Sequence, residues 1–289
     1  MLTRKRTLLF FVLLIQLFGT FAIGLATNTG SAATMMTQPQ IKEAIYLDSI
    51  SAPCPGEIFA AINKVSRPNW ATLARGENAP VTTRRAQLAL AIGTLVTNGY
   101  IAVEAQDGQQ VKNIGRDIMT MAKALGVSQN ILSRGNNLTE FADHNEWDAL
   151  RNELEATENE VKTTMVEQQD RNLVTITTAG AWLRGLEVAS GIIVNHYSPR
   201  GAALLEEPDL ARHLATDLET LPNKLRNDPL VMQVKETLVN IAILLEHERH
   251  GLSKEMLATI QAQAEKVVTA IGTSDASPLA SPSPTVTPQ

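Results

Sequence analysis

The chain has 289 residues, of which 44% are hydrophobic and only 4% aromatic, and its formal net charge is −5. An acidic chain lacks the basic face that nucleic-acid binding needs, so we expect no nucleic-acid partner. Its one cysteine excludes a disulfide within the chain. Many aliphatic and few aromatic residues favour helix over sheet.

The first 33 residues have the composition of an export signal. Residues 4–6 read Arg-Lys-Arg and precede an apolar run from Leu8 to Ala26. A basic start, an apolar run and small residues beyond it are typical of a secretory signal peptide. Small residues at 24–26 and 31–33 offer two cleavage sites. Because the apolar run approaches the length of a membrane span, segment 1–33 is predicted to be a signal peptide or an uncleaved N-terminal anchor.

Both alternatives place the rest of the chain outside the cytoplasm, as a periplasmic, secreted or anchored protein, because the basic residues precede the apolar run. The only membrane contact expected is through that segment. Without it the chain loses three basic residues and no acidic ones, so the net charge changes from −5 to −8. Residues 34–40 are predicted to be a tether and residues 41–271 a single helical domain. Residues 272–289, rich in Pro, Ser and Thr, are predicted to be a disordered tail.

Apolar residues in the predicted domain recur at steps of 3 and 4, and no stretch alternates as a strand would. Asp107, Asp228 and Ser253 are predicted to begin helices and Gly126 to end one. The apolar stripes of four helices are Val111, Ile114, Ile118, Met121 and Leu125; Trp147, Leu150, Leu154, Val161 and Met165; Val231, Val234, Leu238, Ile241 and Leu245; and Leu257, Ile260, Ala264, Val267 and Ile271.

Two further segments, 84–105 and 171–195, are apolar almost all round, which predicts the two central helices of an all-α, multi-helix bundle. Charged residues within them disfavour their reading as membrane spans. Both carry small residues at steps of four, which predicts that the two helices cross at close range. These residues are Ala89, Gly93 and Thr97 in the first, and Thr177, Ala181, Gly185 and Ala189 in the second.

Arg184 and Glu187 are the leading candidates for a functional site, since they stand one turn apart on an otherwise apolar helix. A buried charge is costly unless it is paired. One interpretation is a polar point in a central cavity that binds a ligand, with Tyr100, Trp182 or Tyr197 as its apolar walls. The other is an ordinary ion pair on a partly exposed stripe of the helix.

The remaining candidates are weaker. Glu246, His247 and His250 are the only clustered metal-ligand types, but they do not complete a His-Glu-x-x-His pattern and they end a helix, so no metal is expected. Cys54 lies between two prolines that hold it out of a helix. It is predicted to be a buried, inert thiol, the alternative being a reactive or interchain cysteine. No phosphate-binding loop or other cofactor motif occurs, so no cofactor is expected.

These observations favour a non-enzymatic binding or scaffold protein of the periplasm or cell surface, for which a protein partner is possible. The alternative is an enzyme or small-ligand binder with a cavity site around Arg184 and Glu187. No residue is assigned a catalytic role. An exported binding protein therefore stands as the expectation from the sequence.

Overall fold

The computed structural model of the protein describes residues 54–74, 79–127, 132–246 and 251–273. The predicted signal segment, the tether and residues 274–289 of the predicted tail lie outside the described residues. Within the described part the regular structure is helical and contains no strand, which confirms the all-α prediction.

Eleven α-helices and two short 3-10 turns follow one another along the described ranges. The turns are Trp70–Thr72 and Ala203–Leu205. The helices are α1 (Pro55–Asn63), α2 (Arg85–Glu104), α3 (Gly108–Leu125), α4 (Leu132–Asp143), α5 (Trp147–Glu167), α6 (Arg171–Asn195), α7 (Pro199–Ala202), α8 (Pro208–Glu219), α9 (Asn223–Arg226), α10 (Pro229–Glu246) and α11 (Lys254–Gly272).

Helices α2 and α6 form the centre of the bundle, as their uniform apolarity predicts. Every residue from 86 to 103 of α2 is buried, and α6 is buried almost continuously from 176 to 193. Among the described residues α2 alone is long and apolar enough to cross a membrane, and its apolar stretch is wholly buried inside the bundle. Its composition is therefore that of a core helix in this fold.

The two central helices cross at a point where each has a glycine, and therefore no side chain, against the other helix. A Cβ on Gly93 would overlap the Thr177 carbonyl oxygen, and a Cβ on Gly180 would overlap that of Leu90. The Thr97 hydroxyl donates to the Ala181 carbonyl oxygen at 3.0 Å across the same contact. The predicted close crossing is confirmed, but one predicted residue was wrong. Gly185 has no neighbouring atom within 4 Å of its Cβ position, and Gly180 takes its place.

The outer helices pack around this pair through their apolar stripes. All twenty residues of the four predicted stripes are buried except Trp147, which packs against the core while partly buried. The predicted helix ends are also confirmed: Asp107 and Ser253 accept hydrogen bonds from the first turns of α3 and α11, and Gly126 ends α3 in the left-handed conformation. Helix α11 packs on α6, α10 packs on α8, and α1 covers both α6 and α2.

Candidate functional site

Arg184 and Glu187 lie in the interior, 1% and 3% exposed. The guanidinium donates to the Glu187 carboxylate at 2.9 Å and through Nε to the Asn98 side-chain oxygen at 2.8 Å. Its second terminal nitrogen makes a longer, 3.4 Å contact with the carbonyl oxygen of Leu73. Arg184 therefore links α6 to α2 and to the segment that follows the first 3-10 turn.

This geometry corrects one of the two interpretations of the pair. The contact between residues three apart is present, but the prediction of a partly exposed stripe was wrong, because both side chains are enclosed by the bundle. Groups of this chain accept the hydrogen bonds of the buried guanidinium. They supply the partners that a buried charge requires. Whether the pair also binds a ligand stays a prediction.

Tyr100 belongs to a different contact. Its hydroxyl accepts a hydrogen bond from the Cys54 thiol at 3.0 Å, and its ring packs against Gly56 at the start of α1. Burial, with a smaller contribution from the Glu158 carboxylate, raises the pKa of the Cys54 thiol to about 11. The thiol is therefore protonated near neutral pH, which lowers its nucleophilicity and agrees with the prediction of an inert cysteine.

Trp182 lies on the side of α6 away from Arg184, since two residues are about 200° apart around a helix. Together with Leu186, one turn further along, it forms the inner wall of a cleft. Neither Arg184 nor Glu187 is among the residues that line this cleft. Of the residues predicted for the ligand site, Trp182 alone therefore lines this cleft.

The cleft opens between α1, α6, α8 and the second 3-10 turn. Its volume is about 220 Å³, smaller than the roughly 300–1,000 Å³ of sites for drug-sized ligands. The surface is apolar apart from two carboxylates, Glu57 and Glu207. The apolar lining residues are Ile58, Ala61, Trp182, Leu186, Leu204, Leu205 and Leu210. A cleft of this composition suits a compact ligand with an apolar body.

Both carboxylates of the cleft belong to helix starts and are exposed. Glu57 lies in the first turn of α1, where its side chain accepts a hydrogen bond from the Cys54 backbone N–H at 3.2 Å. Glu207 precedes the first residue of α8 and makes no capping hydrogen bond with its side chain. Within the described residues neither carboxylate forms an ion pair. Two negative charges therefore stand at the edge of an apolar surface.

The remaining predicted residues take no part in this cleft. Glu246, at the end of α10, forms an ion pair with Arg212, while His247 and His250 lie outside the described residues. Over the described ranges no three metal-ligand side chains come together. Tyr197 is 41% exposed and donates its hydroxyl to the Leu252 carbonyl oxygen at 2.9 Å.

Sequence reasoning missed most of the cleft, because its walls come from helices far apart in the chain. The apolar stripe of α8, which includes Leu210, Leu214 and Leu218, could have been recognised by its spacing and by Pro208 in the first turn. The approach of α1 to that helix has no comparable signal. No family model, curated protein or solved structure matches this chain. The candidate site therefore rests on the geometry of the chain itself.

Proposed function

We propose that this chain is an exported, non-enzymatic binding protein of the periplasm or cell surface, and that its binding site is the cleft lined by Trp182. The observation that carries the proposal is an apolar cleft beside a bundle whose buried charged pair is already satisfied internally. The cleft-lining side chains are aliphatic, indole or carboxylate and include no hydroxyl, thiol, imidazole or amine. An apolar lining with carboxylates at its edge suits ligand binding.

The alternative is an enzyme or ligand binder centred on Arg184 and Glu187. For a substrate to use that pair, it would have to displace Asn98 or the Glu187 carboxylate from hydrogen bonds of 2.8 and 2.9 Å. Breaking either contact leaves a buried charge poorly compensated, which costs several kcal/mol. The cleft offers a surface without this cost, and we therefore favour it as the site.

Filling the cleft tests the proposal. Ala61 lines the cleft and Ala60, its neighbour on α1, is exposed and does not. We expect Ala61→Leu to abolish binding of 2-phenylethanol, a compact neutral probe, because the added carbons occupy its space. Ala60→Leu adds the same atoms to the same helix and is expected to leave binding intact.

The readout is 19F NMR of protein labelled with 5-fluorotryptophan, which reports separately on the three tryptophans. During the titration we expect the Trp182 resonance to move while that of Trp70, which is outside the cleft, stays in place. The proposal is overturned if no resonance moves up to the solubility limit of the probe, or if Ala61→Leu and Ala60→Leu respond alike.

A further inference from the structure

The two carboxylates of the cleft bear on the chemistry of its ligand. We infer that the cleft binds a small organic cation, a compact apolar body that carries an ammonium group, with Glu57 and Glu207 facing the positive charge. This inference rests on the proposed function, because it names the ligand class of the same cleft. The apolar lining alone would select only for size and hydrophobicity.

Charge complementarity is the first argument. Glu57 and Glu207 each contribute a full negative charge, and the described residues provide no cationic partner to either of them. The starts of α1 and α8 offset part of this charge, since a helix N-terminus carries about half a positive charge. Two full negative charges against two half charges leave about one net negative charge at the edge of the cleft. An anionic ligand is therefore disfavoured and a monocation is matched.

The wall of the cleft supplies the second argument. Trp182 is the aromatic residue of the lining, and an indole is the side chain that attracts organic cations most strongly through its electron-rich face. An indole together with carboxylates is a combination by which proteins hold ammonium groups that carry apolar substituents. A hydrated metal ion would gain nothing from the aliphatic remainder of the lining.

The volume of the cleft limits the size of the cation. About 220 Å³ is less than the roughly 300–1,000 Å³ of sites for drug-sized ligands, and it suits one ring or a short alkyl chain. A lipid or a folded segment of a partner protein is too large to be enclosed there. The ligand class is thus a small aryl or alkyl amine in its protonated form.

Three probes of the same body separate charge from hydrophobicity: phenethylamine, 2-phenylethanol and phenylacetate, titrated near neutral pH with the Trp182 19F resonance as readout. We expect phenethylammonium to bind about tenfold more tightly than the alcohol, and phenylacetate more weakly than either. Raising the ionic strength from about 0.01 M to about 1 M shortens the Debye length from about 30 to about 3 Å and should reduce the preference for the amine.

The variants assign the preference to the two carboxylates. The double substitution Glu57→Gln with Glu207→Gln is expected to make the amine and the alcohol bind equally. Glutamine at 57 keeps an oxygen for the Cys54 N–H, so the start of α1 is preserved. Glu236→Gln, at an exposed position of α10 away from the cleft, is the control and should leave the tenfold preference unchanged.

The outcomes distinguish this inference from the proposed function. If the amine binds no more tightly than the alcohol, or if the double variant keeps the preference, the inferred charge recognition is overturned while the cleft remains a binding site. Tightest binding by phenylacetate would overturn it too, and would show that the helix N-termini dominate. If none of the three probes moves the Trp182 resonance, the proposed function itself fails.

Discussion

At the scale of single residues, the most consequential finding concerns Arg184. The sequence identifies it as exceptional, because a charge on an apolar helix needs an explanation. The structure provides one within the chain, through Glu187 and Asn98. Its contact with the Leu73 carbonyl also places the segment before α2 against the bundle. A charged residue that is unusual in its sequence context can therefore have a structural role in the interior of the fold.

The structural role of the pair predicts a specific pattern of stability. Arg184→Met removes the partner of a buried carboxylate and should lower the free energy of unfolding by about 3–5 kcal/mol. Glu187→Met should lower the free energy of unfolding by a similar amount, because it removes the carboxylate that pairs with the buried Arg184 guanidinium. The double variant should lose less than the sum of the two, because it leaves neither charge buried without the other. Urea unfolding of the unsubstituted protein, the two single variants and the double variant gives the four free energies of this double-mutant cycle.

The cycle also separates the two interpretations of the pair. Additive losses in the single and double variants would contradict a coupled internal ion pair. Unchanged stability in both single variants would contradict it as well, and would favour a pair that is maintained for ligand binding at the expense of the fold.

At the scale of helices, periodic features were predictable and contacts between helices were not. The stripes of α3, α5, α10 and α11 depend on residues within one helix, so their spacing is visible in the sequence. Which glycine of α6 contacts α2 depends on the position along the helix axis at which the two helices cross. The small-residue pattern includes Gly185 and omits Gly180, and only the three-dimensional contact shows that Gly180 is the glycine that meets α2.

That distinction gives a matched pair of substitutions in α6. Gly180→Ala should lower the free energy of unfolding by about 3 kcal/mol or more, because its Cβ would overlap the Leu90 carbonyl and α2 must move away. Gly185→Ala should raise it by up to about 1 kcal/mol, since the Cβ enters open space and alanine is the better helix former.

Chemical denaturation measures both changes, with circular dichroism to verify that the helix content is kept. Equal destabilisation by the two alanines would contradict the crossing point at Gly180. A stable Gly180→Ala variant would contradict the close approach of α2 and α6 altogether.

At the scale of the whole molecule, the fold class and the central pair of helices could be predicted, whereas the cleft could not. Uniform apolarity identifies a core helix without knowledge of its neighbours. The cleft needs Glu57 and Glu207, which are distant in sequence, to approach the same side of α6 at Trp182. Among the predicted site residues, Trp182 is shared with the cleft, while Tyr100 belongs to the contact with Cys54.

The proposed function joins two separate lines of argument. Export is proposed from the basic and apolar residues of segment 1–33, and ligand binding is proposed from the cleft. An exported binding protein needs both. A measurement that reports on the processed chain and on its ligand together therefore tests the central claim most directly.

Native mass spectrometry of the protein purified from the cells that make it is that measurement. We predict a chain in the exported fraction that lacks its first 26 or 33 residues, or an intact chain in the membrane fraction, with a small organic cation bound to it. The cation should be absent from Ala61→Leu and present in Ala60→Leu. An intact chain in the cytosol with no bound molecule would contradict the account.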